Sequence, residues 1–257
     1  MAKGGMLMDD LTIFCAGSTR SVRYAADILS ERGINIVHEP CDAATYVLLD
    51  IPSLGPSDKL RDGSDLRELI AAVPDEAVYI GGGLENPLLE RHKKYDLLKK
   101  EGYLKENARI TAYCALHIIG TALPVTLEDC PVLIIGWGRI GKVLTSLLVR
   151  LGAHVTVASR DIRSIASLSK LGISAVLTDM VSPQKYRLIL NTAPASVLTE
   201  SSLSSCVNTV KIDLASVKGL AGDDVIWARG LPGQYAPESS GQLIARYVLN
   251  YLKEDIP

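Results

Sequence analysis

The stretch Val132-Leu-Ile-Ile-Gly-Trp-Gly-Arg-Ile-Gly141 decides the fold of this chain. An apolar strand runs directly into three glycines with the spacing G-x-G-x-x-G, and a helical pattern over Lys142–Leu151 follows. In this setting the first glycine permits a tight turn, the second lets the backbone approach a pyrophosphate, and the third lets helix and sheet pack closely, while N–H groups at the helix start face the anion. The alternative is a glycine-rich turn without a ligand. The residues predicted to bind a dinucleotide are Gly136, Trp137, Gly138, Arg139, Ile140 and Gly141.

The end of the next strand predicts which dinucleotide binds. An NAD enzyme carries an acidic residue there, about 20 residues after the glycines, to bind the ribose hydroxyls. Here the strand Val155–Ala158 ends at Ser159 and Arg160, whose hydroxyl and guanidinium suit a 2′-phosphate. Asp161 comes one or two positions late and is expected to point elsewhere. NADP is therefore favoured over NAD, and an ordinary exposed arginine at position 160 is the alternative.

Short apolar runs alternate with helical segments on both sides of this stretch, which is typical of βα units. Six strands are predicted in the second half of the chain: Val132–Ile135, Val155–Ala158, Ala175–Leu177, Leu188–Leu190, Val210–Ile212 and Val225–Ala228. Four more are predicted before them: Leu11–Cys15, Ile34–Val37, Tyr46–Leu49 and Val78–Ile80. The predicted fold class is therefore α/β, with two open parallel-sheet domains and a Rossmann-type nucleotide-binding domain at the C-terminal side.

Composition shifts suggest the domain boundaries. Residues 1–105 are predicted to form a smaller substrate-type domain, and the charged stretch Lys99–Glu106 reads as a hinge. An apolar helix over Ala108–Leu123 lies within an inter-domain segment, residues 106–125. Residues 126–235 form the nucleotide-binding domain, and a helix over Ser239–Leu252, within 236–257, is expected to pack back between the domains.

Polar loops follow the fourth and fifth strands of the second half. In doubly wound sheets, loops at the carboxyl ends of strands line the ligand crevice. We therefore expect cofactor contacts there, with Ser216 placed toward substrate, although each loop alone is also ordinary turn chemistry. The residues predicted to contact the cofactor are Asn191, Thr192, Ala193, Pro194, Asp213, Leu214 and Ala215.

Composition excludes several function classes. The chain has 257 residues, 47% of them hydrophobic, with 27 Lys+Arg against 29 Asp+Glu and a net charge of -2. Disorder does not fit this balance, and there is no basic surplus for sequence-independent nucleic-acid binding. Apolar stretches break before the ~18 residues that span a bilayer, and Met1–Asp10 has no apolar signal region. The five cysteines are scattered, which favours reduced thiols in a cytoplasmic protein: Cys15, Cys41, Cys114, Cys130 and Cys206.

The sequence does not identify a catalytic residue. The four histidines lie before the last hundred residues, where a hydroxyacid dehydrogenase would place its acid or base: His38, His92, His117 and His154. His117 falls in the middle of the apolar helix, where a packing role is expected. No His, Cys or acidic residues have metal-ligand spacing. Chemistry that needs strong acid–base help is therefore disfavoured, and no metal is expected.

Taken in order, these motifs resemble the A subunits of bacterial dipicolinate synthases. The resemblance covers about Asp129–Leu252 and is weaker before that. Its most specific element is Gly230-Leu-Pro-Gly-Gln-Tyr-Ala-Pro237 followed by Gly241-Gln-Leu-Ile-Ala245, because generic Rossmann domains do not carry it. The D-isomer-specific 2-hydroxyacid dehydrogenases are the wider relatives that share the two-domain plan.

This resemblance implies a function. It implies NADP-linked oxidation of a dihydrodipicolinate-type cyclic dicarboxylate to dipicolinate during sporulation, and the implied partner is a flavoprotein-like B subunit. It also implies a flavodoxin-like N-terminal domain and a cofactor cleft between domains, and a homodimer is expected. Because aromatisation of a dihydropyridine supplies its own driving force, hydride acceptance and orientation can suffice without a histidine base. The alternatives are another 2-hydroxyacid-dehydrogenase-like oxidoreductase, or a nucleotide-binding subunit inactive without its partner.

A dicarboxylate needs cationic or N–H-rich anchors, and the loop after the first strand offers both. Ser18, Thr19 and Arg20 stand at a predicted helix start and are the expected substrate-binding residues there, with simple helix capping as the alternative. The chain departs from the family in two places. It is shorter around Pro52–Asp62, and it reads Thr111-Ala-Tyr-Cys114 where the family tends to carry Thr-x-Glu-Gly.

Overall fold

The computed structural model describes residues 11–55 and 58–255, so the prediction made for Met1–Asp10 lies outside the described residues. The chain folds into two compact units. The first unit comprises the chain up to Asn107 together with the chain from Pro232 onward, and the second unit comprises Ala108–Leu231. No helix within the described ranges is both long enough and apolar enough to cross a membrane.

The first unit is built on a parallel sheet of five strands in the order β2-β1-β3-β4-β5. Strands alternate with helices in the sequence because parallel neighbours need crossover connections. This order is that of flavodoxin-like sheets. The strands are β1 (Thr12–Cys15), β2 (Asn35–Val37), β3 (Tyr46–Leu48), β4 (Val78–Gly81) and β5 (Lys94–Asp96).

Three α-helices of the described chain belong wholly to this unit: α1 (Arg20–Glu31), α2 (Leu66–Ala71) and α8 (Pro237–Asp255). α1 is amphipathic and buries Val22, Ala25 and Leu29. α8 packs tightly against α1 at Gly241, where a Cβ would lie 2.8 Å from the carbonyl oxygen of Ser21. The chain from Pro237 onward is therefore an integral part of the unit that begins the sequence.

The second unit contains a parallel sheet of six strands in the order β11-β10-β9-β6-β7-β8. From the first strand outward this is the Rossmann order, with a reversal between β6 and β9. The strands are β6 (Pro131–Ile135), β7 (His154–Ser159), β8 (Ser174–Leu177), β9 (Leu188–Asn191), β10 (Val210–Asp213) and β11 (Val225–Trp227). The helices between them are α4 (Arg139–Arg150), α5 (Ile162–Lys170) and α6 (Glu200–Ser204), and α7 (Leu231–Tyr235) follows β11. The predicted fold class, α/β with two open parallel sheets, is confirmed.

The helix α3 (Glu101–Ala122) corrects the predicted hinge, because it begins at Glu101 and not at Ala108. The charges of this segment lie on its outer face, where Lys105 and Glu101 pair one turn apart. Its inner face carries Tyr103, which is 1% exposed and packs edge to face on Tyr247 of α8. The charged stretch that was predicted to be a hinge is therefore in large part the solvated face of a helix. His117 is exposed on the same helix, so the packing role expected for it is wrong.

Candidate functional site

The strand order of the second unit reverses between β6 and β9, and this switch point is where ligands bind in open α/β sheets. The two strands pair in register, with Ile135 opposite Asn191. The residues that follow them therefore begin side by side, and the N–H of Thr192 donates to the carbonyl of Ile135 at 2.9 Å. This places the predicted glycine turn and the predicted Asn191–Pro194 loop next to one another.

The three glycines of this turn differ in backbone conformation and in what surrounds them. Gly136 has φ +102°, in the left-handed region that favours glycine. A Cβ on Gly141 would lie 2.1 Å from the carbonyl oxygen of Gly136, so helix and turn pack backbone to backbone. A Cβ on Gly138 would meet nothing within 4 Å, so open space lies over this position. The roles predicted for them agree with this geometry.

The start of α4 has the features of an anion-binding helix terminus. Gly138 is the N-cap residue, so the helix has no side-chain cap, and its first turn contains no acidic residue. The first N–H groups of a helix lack intrahelical partners and carry the positive end of the helix dipole. Such an end is a ready anion site, and the open space over Gly138 leaves room for the anion. Trp137 flanks the turn half-buried, with Lys142 Nζ 5.8 Å from its ring centre.

The end of β7 offers a ligand a hydroxyl and a guanidinium. The carboxylate nearest to it, that of Asp161, is already hydrogen-bonded within the protein. Asp161 caps α5 and accepts from the Arg163 N–H at 3.1 Å and the Ser164 hydroxyl at 3.0 Å. These bonds hold the pKa of Asp161 below its usual range. Ser159 is buried and accepts from the Asp161 N–H, whereas Arg160 is exposed. An acidic ribose ligand is thus missing from the end of this strand.

Asn191 and Asp213 end β9 and β10, as predicted, but their side chains are fully buried. Their polar atoms bind each other and the loops that follow them. In these loops Leu214 and Ala215 are also buried, whereas Pro194 and Ser216 are exposed. The backbone and exposed side chains of these loops are therefore what a ligand could reach.

The first unit has a switch point of its own between β1 and β3, where Cys15 pairs with Leu48. The predicted substrate loop follows β1, and its N–H groups and hydroxyls converge on the carboxylate of Asp50. The Ser18 N–H and hydroxyl donate to Asp50 Oδ2 at 3.0 and 2.9 Å, and those of Thr19 donate to Oδ1 at 3.0 and 2.5 Å. Asp50 is 4% exposed. The anion at this helix start is therefore a side chain of the protein, and only Arg20 of the three predicted residues is exposed.

Sequence reasoning missed Asp50, although one signal was present. An acidic residue stands directly after the apolar run Tyr46–Leu49, which is the place where a sheet presents side chains to its crevice. Burial raises the pKa of the neighbouring Cys15 thiol to about 11, so this cysteine is a neutral packing group at physiological pH.

A cavity of about 470 Å³ lies beside this loop in the first unit. Arg23 and His38 contribute to its wall, but so do three carboxylates, those of Asp62, Asp65 and Glu68. Like charges repel at this range, so the cavity is poorly suited to a dicarboxylate.

Comparison with known proteins agrees with this architecture. The TrkA-N domain family model matches residues 132–191, the segment from β6 to β9 that includes the glycine turn. The second unit is thus a nucleotide-binding Rossmann-type domain of the kind that binds NAD(P).

The chain is also similar to a curated relative. It is 27% identical to the A subunit of dipicolinate synthase from Bacillus subtilis over 192 residues, which cover 68% of this chain and 65% of that protein. The match thus spans just under two thirds of the relative's length.

Solved structures extend the likeness to the whole chain. The A subunit of dipicolinate synthase from Bacillus halodurans has a TM-score of 0.83 at 21% identity, covering 96% of this chain and 99% of that one. The corresponding Bacillus subtilis structure gives 0.77 at 21%, covering 98% of each chain. The D-lactate dehydrogenase of Escherichia coli gives 0.59 at 12%, covering 96% and 98%. In sequence and in fold, this chain is similar to the A subunit of dipicolinate synthase, with structural similarity to D-lactate dehydrogenase.

Proposed function

We propose that this chain is an NADP-dependent oxidoreductase that oxidises a dihydrodipicolinate-type cyclic dicarboxylate to dipicolinate in sporulation. The observation that carries the proposal is the uncapped start of α4 at the Rossmann switch point, followed at the end of β7 by Ser159 and Arg160. The first feature fits a pyrophosphate and the second fits a 2′-phosphate. The likeness to the A subunit of dipicolinate synthase supplies the substrate class.

The residues present fit the cofactor at each of its parts. The N–H groups at the start of α4 would hold the pyrophosphate, and Arg160 would hold the 2′-phosphate. The loops after β9 and β10 would surround the nicotinamide half, with Ser216 exposed toward substrate. When bound, NADP supplies a hydride acceptor; the role of the chain is to bind both reactants and orient them.

The substrate side of the proposal rests on fewer residues. Because Asp50 accepts the donors of Ser18 and Thr19, these two residues would shape the loop, and Arg20 would supply the cation for a substrate carboxylate. Oxidation of the dihydropyridine releases a hydride and a proton, and aromatisation drives the loss of both. The chain therefore needs orientation more than a strong base.

A second candidate is a nucleotide-binding subunit that is inactive without a partner. The observation that favours it is Tyr113, which is 51% exposed on α3 where the resemblance leads one to expect a carboxylate. A flavoprotein-like B subunit would then complete the site. A further candidate is a 2-hydroxyacid-dehydrogenase-like oxidoreductase acting on another carboxylate, which the fold alone supports. In each case we propose a homodimer working in the cytoplasm with its cysteines reduced.

The test combines cofactor binding with turnover. We expect the purified chain to bind NADPH with a dissociation constant in the micromolar range, about 1–100 µM, by calorimetry. The absorbance of dipicolinate formed from dihydrodipicolinate and NADP should stay low for the chain alone and rise when the B subunit is added. Tyr113→Glu, which returns the missing carboxylate to an exposed helix position, is the matched variant for the substrate side.

Three results would revise the proposal. Failure to bind NADPH would overturn it. Strong turnover by the chain alone would replace the partner-dependent form with a self-sufficient dehydrogenase. Binding of NADPH without turnover, even when the partner is present, would favour a different carboxylate substrate.

A further inference from the structure

Asp213 carries a carboxylate with no exposed surface, and its charge is balanced by the loop that follows it. Its Oδ1 accepts the Ala215 N–H at 2.9 Å, and its Oδ2 accepts the N–H groups of Gly219 at 2.7 Å and Leu220 at 2.8 Å. In the described part of the chain, all of its hydrogen-bond partners are N–H groups. A buried charge is tolerated only when it is so fully hydrogen-bonded. The loop from Leu214 to Leu220 is therefore folded around this carboxylate.

Asn191 connects this loop to its neighbour. Its amide nitrogen donates to Asp213 Oδ1 at 3.0 Å and to the carbonyl of Ala193 at 2.9 Å, while its amide oxygen accepts the Ala193 N–H at 3.1 Å. All the polar atoms of this side chain are thereby used inside the protein. One amide thus fixes the loop after β9 relative to the carboxylate that fixes the loop after β10.

Gly219 closes the contact between the two loops. A Cβ there would lie 2.4 Å from the carbonyl oxygen of Ala195 and 2.6 Å from the Asn191 amide nitrogen. No side chain fits at either distance, so the loops meet backbone to backbone. We name Asn191, Asp213 and Gly219 the loop clamp.

We infer that the loop clamp is a set of positioning residues for the nicotinamide half of the dinucleotide, and that its two polar side chains act through the loops and not as ligands. The inference rests on the proposed function. The clamped loops lie beside the switch point, on the side of the sheet that takes the nicotinamide half in Rossmann folds. Between the tied residues Ala215 and Gly219, the loop exposes Ser216, Val217 and Lys218 in a fixed place. The glycine turn and Arg160 serve the other half of the molecule.

This division of labour gives the test. Asp213→Asn, Asn191→Asp and Gly219→Ala each spoil the clamp, and two probes report on the two halves: NADPH, and adenosine 2′,5′-bisphosphate, which lacks the nicotinamide half. A displacement of a binding loop by about 1 Å misplaces the groups that contact the ligand. We therefore expect each variant to bind NADPH about ten-fold more weakly, or worse. Binding of the bisphosphate should change by less than about two-fold, within the effect of a remote surface change.

Lys170→Ala is the control, because Lys170 is exposed in the last turn of α5 and belongs to neither of the two clamped loops. This variant should bind both probes with the affinity of wild type. Gly219→Ala keeps both polar side chains, so it decides the matter where Asp213→Asn does not fold. Thermal melting verifies that each variant tested is folded.

The outcomes separate the two proposals. Wild-type protein that binds neither probe contradicts the proposed function itself. If wild type binds both probes and the folded clamp variants keep full NADPH affinity, the positioning role of the loop clamp is wrong and the proposed function stands. Folded variants that lose both probes to the same degree also overturn that role, because a positioning role confined to one half would spare the bisphosphate.

Discussion

The two switch points of this molecule are built alike, but a carboxylate of the protein fills the first and no side chain caps the helix at the second. In each, a buried strand turns into the start of a helix beside a neighbouring parallel strand. At α1 the N–H groups before the helix donate to Asp50, a carboxylate of the same chain. At α4 no side chain caps the helix, and a Cβ at Gly138 would meet nothing within 4 Å. The loop before α1 thus holds an anion of the protein itself, and we propose that the start of α4 holds an anion of the cofactor.

The side chains of the two loops explain this difference. The first loop carries two hydroxyls, on Ser18 and Thr19, which add two donors to the two N–H groups. Four donors around one carboxylate make a closed arrangement that excludes a second anion. The second loop has glycine at the corresponding N-cap, which adds no donor and occupies no space. The first switch point is thus closed by a side chain of the protein, and the second is the one that we propose for a ligand.

The largest expected effect is that of Asp50→Ala, which should open the first switch point. Removing the carboxylate leaves four partly buried donors without their acceptor, so the free energy of unfolding should fall by about 3 kcal/mol, measured by urea denaturation. Formate or phosphate should then raise the melting temperature of the variant but not that of wild type. Asp62→Ala is the control, since Asp62 is exposed and accepts from its near neighbour Ser64. A variant indifferent to both anions would show that the site is not one for anions.

Gly138→Asp should close the second switch point in the way that Asp50 closes the first. Gly138 has φ -80°, which any residue adopts, and aspartate is a favoured N-cap, so stability should be kept. The new carboxylate should repel the pyrophosphate. The affinity for NADPH, measured by calorimetry, should therefore fall about a hundred-fold, or ~2.7 kcal/mol. In Gly138→Asn the new side chain has nearly the shape of aspartate but no charge, so this variant should lose far less affinity for NADPH. Equal losses in the two variants would assign the effect to bulk and not to charge.

Arg160→Ala tests which phosphate the second unit recognises. One charge-assisted contact contributes about 1.5–3 kcal/mol, so wild type should prefer NADPH over NADH about ten- to hundred-fold, and the variant should lose most of this preference. Calorimetric titration with both dinucleotides measures it. Arg163→Ala, at the start of the next helix, is the control. Equal affinities for NADPH and NADH in wild type would contradict the assignment of NADP.

The smallest expected effect is that of Arg20→Ala, which probes whether the first switch point contacts substrate at all. Arg20 is exposed, so stability should change by less than about 0.5 kcal/mol. Dipicolinate affinity should fall about two- to five-fold, the range of a solvated charge contact. Arg32→Ala, just past the other end of α1, is the matched control. Unchanged dipicolinate binding would leave this loop with a purely structural role.

Much of the fold could be predicted because its strands are apolar runs bounded by turns. All ten predicted strands are present, with small shifts at their ends. β5 was missed because it is an edge strand that carries Lys94 and Asp96, and so lacks an apolar run. The start of α3 was missed because charge on one face concealed Tyr103 on the other.

The site could be predicted only as far as local spacing carries information. The glycine turn is local, so its position and the backbone roles of Gly136 and Gly141 followed from the sequence. The capping of Ser18 and Thr19 by Asp50 joins residues 32 and 31 positions apart, and no spacing rule links them. Asn191 and Asp213 were placed at the correct strand ends, but the direction of their side chains depends on the close approach at Gly219. That approach exists only in three dimensions.

The packing of α8 onto α1 means that the first unit cannot finish folding until α8 has been synthesised. α1 emerges from the ribosome early, yet the helix that covers it follows the whole of the second unit in the chain. At about 5–20 residues per second, α1 waits on the order of ten seconds for its partner. The second unit is a continuous stretch and is complete before α8 is made, so the unit that is synthesised later is the first that can finish folding. Until then the face of α1 around Tyr24 and Ala25 stays uncovered.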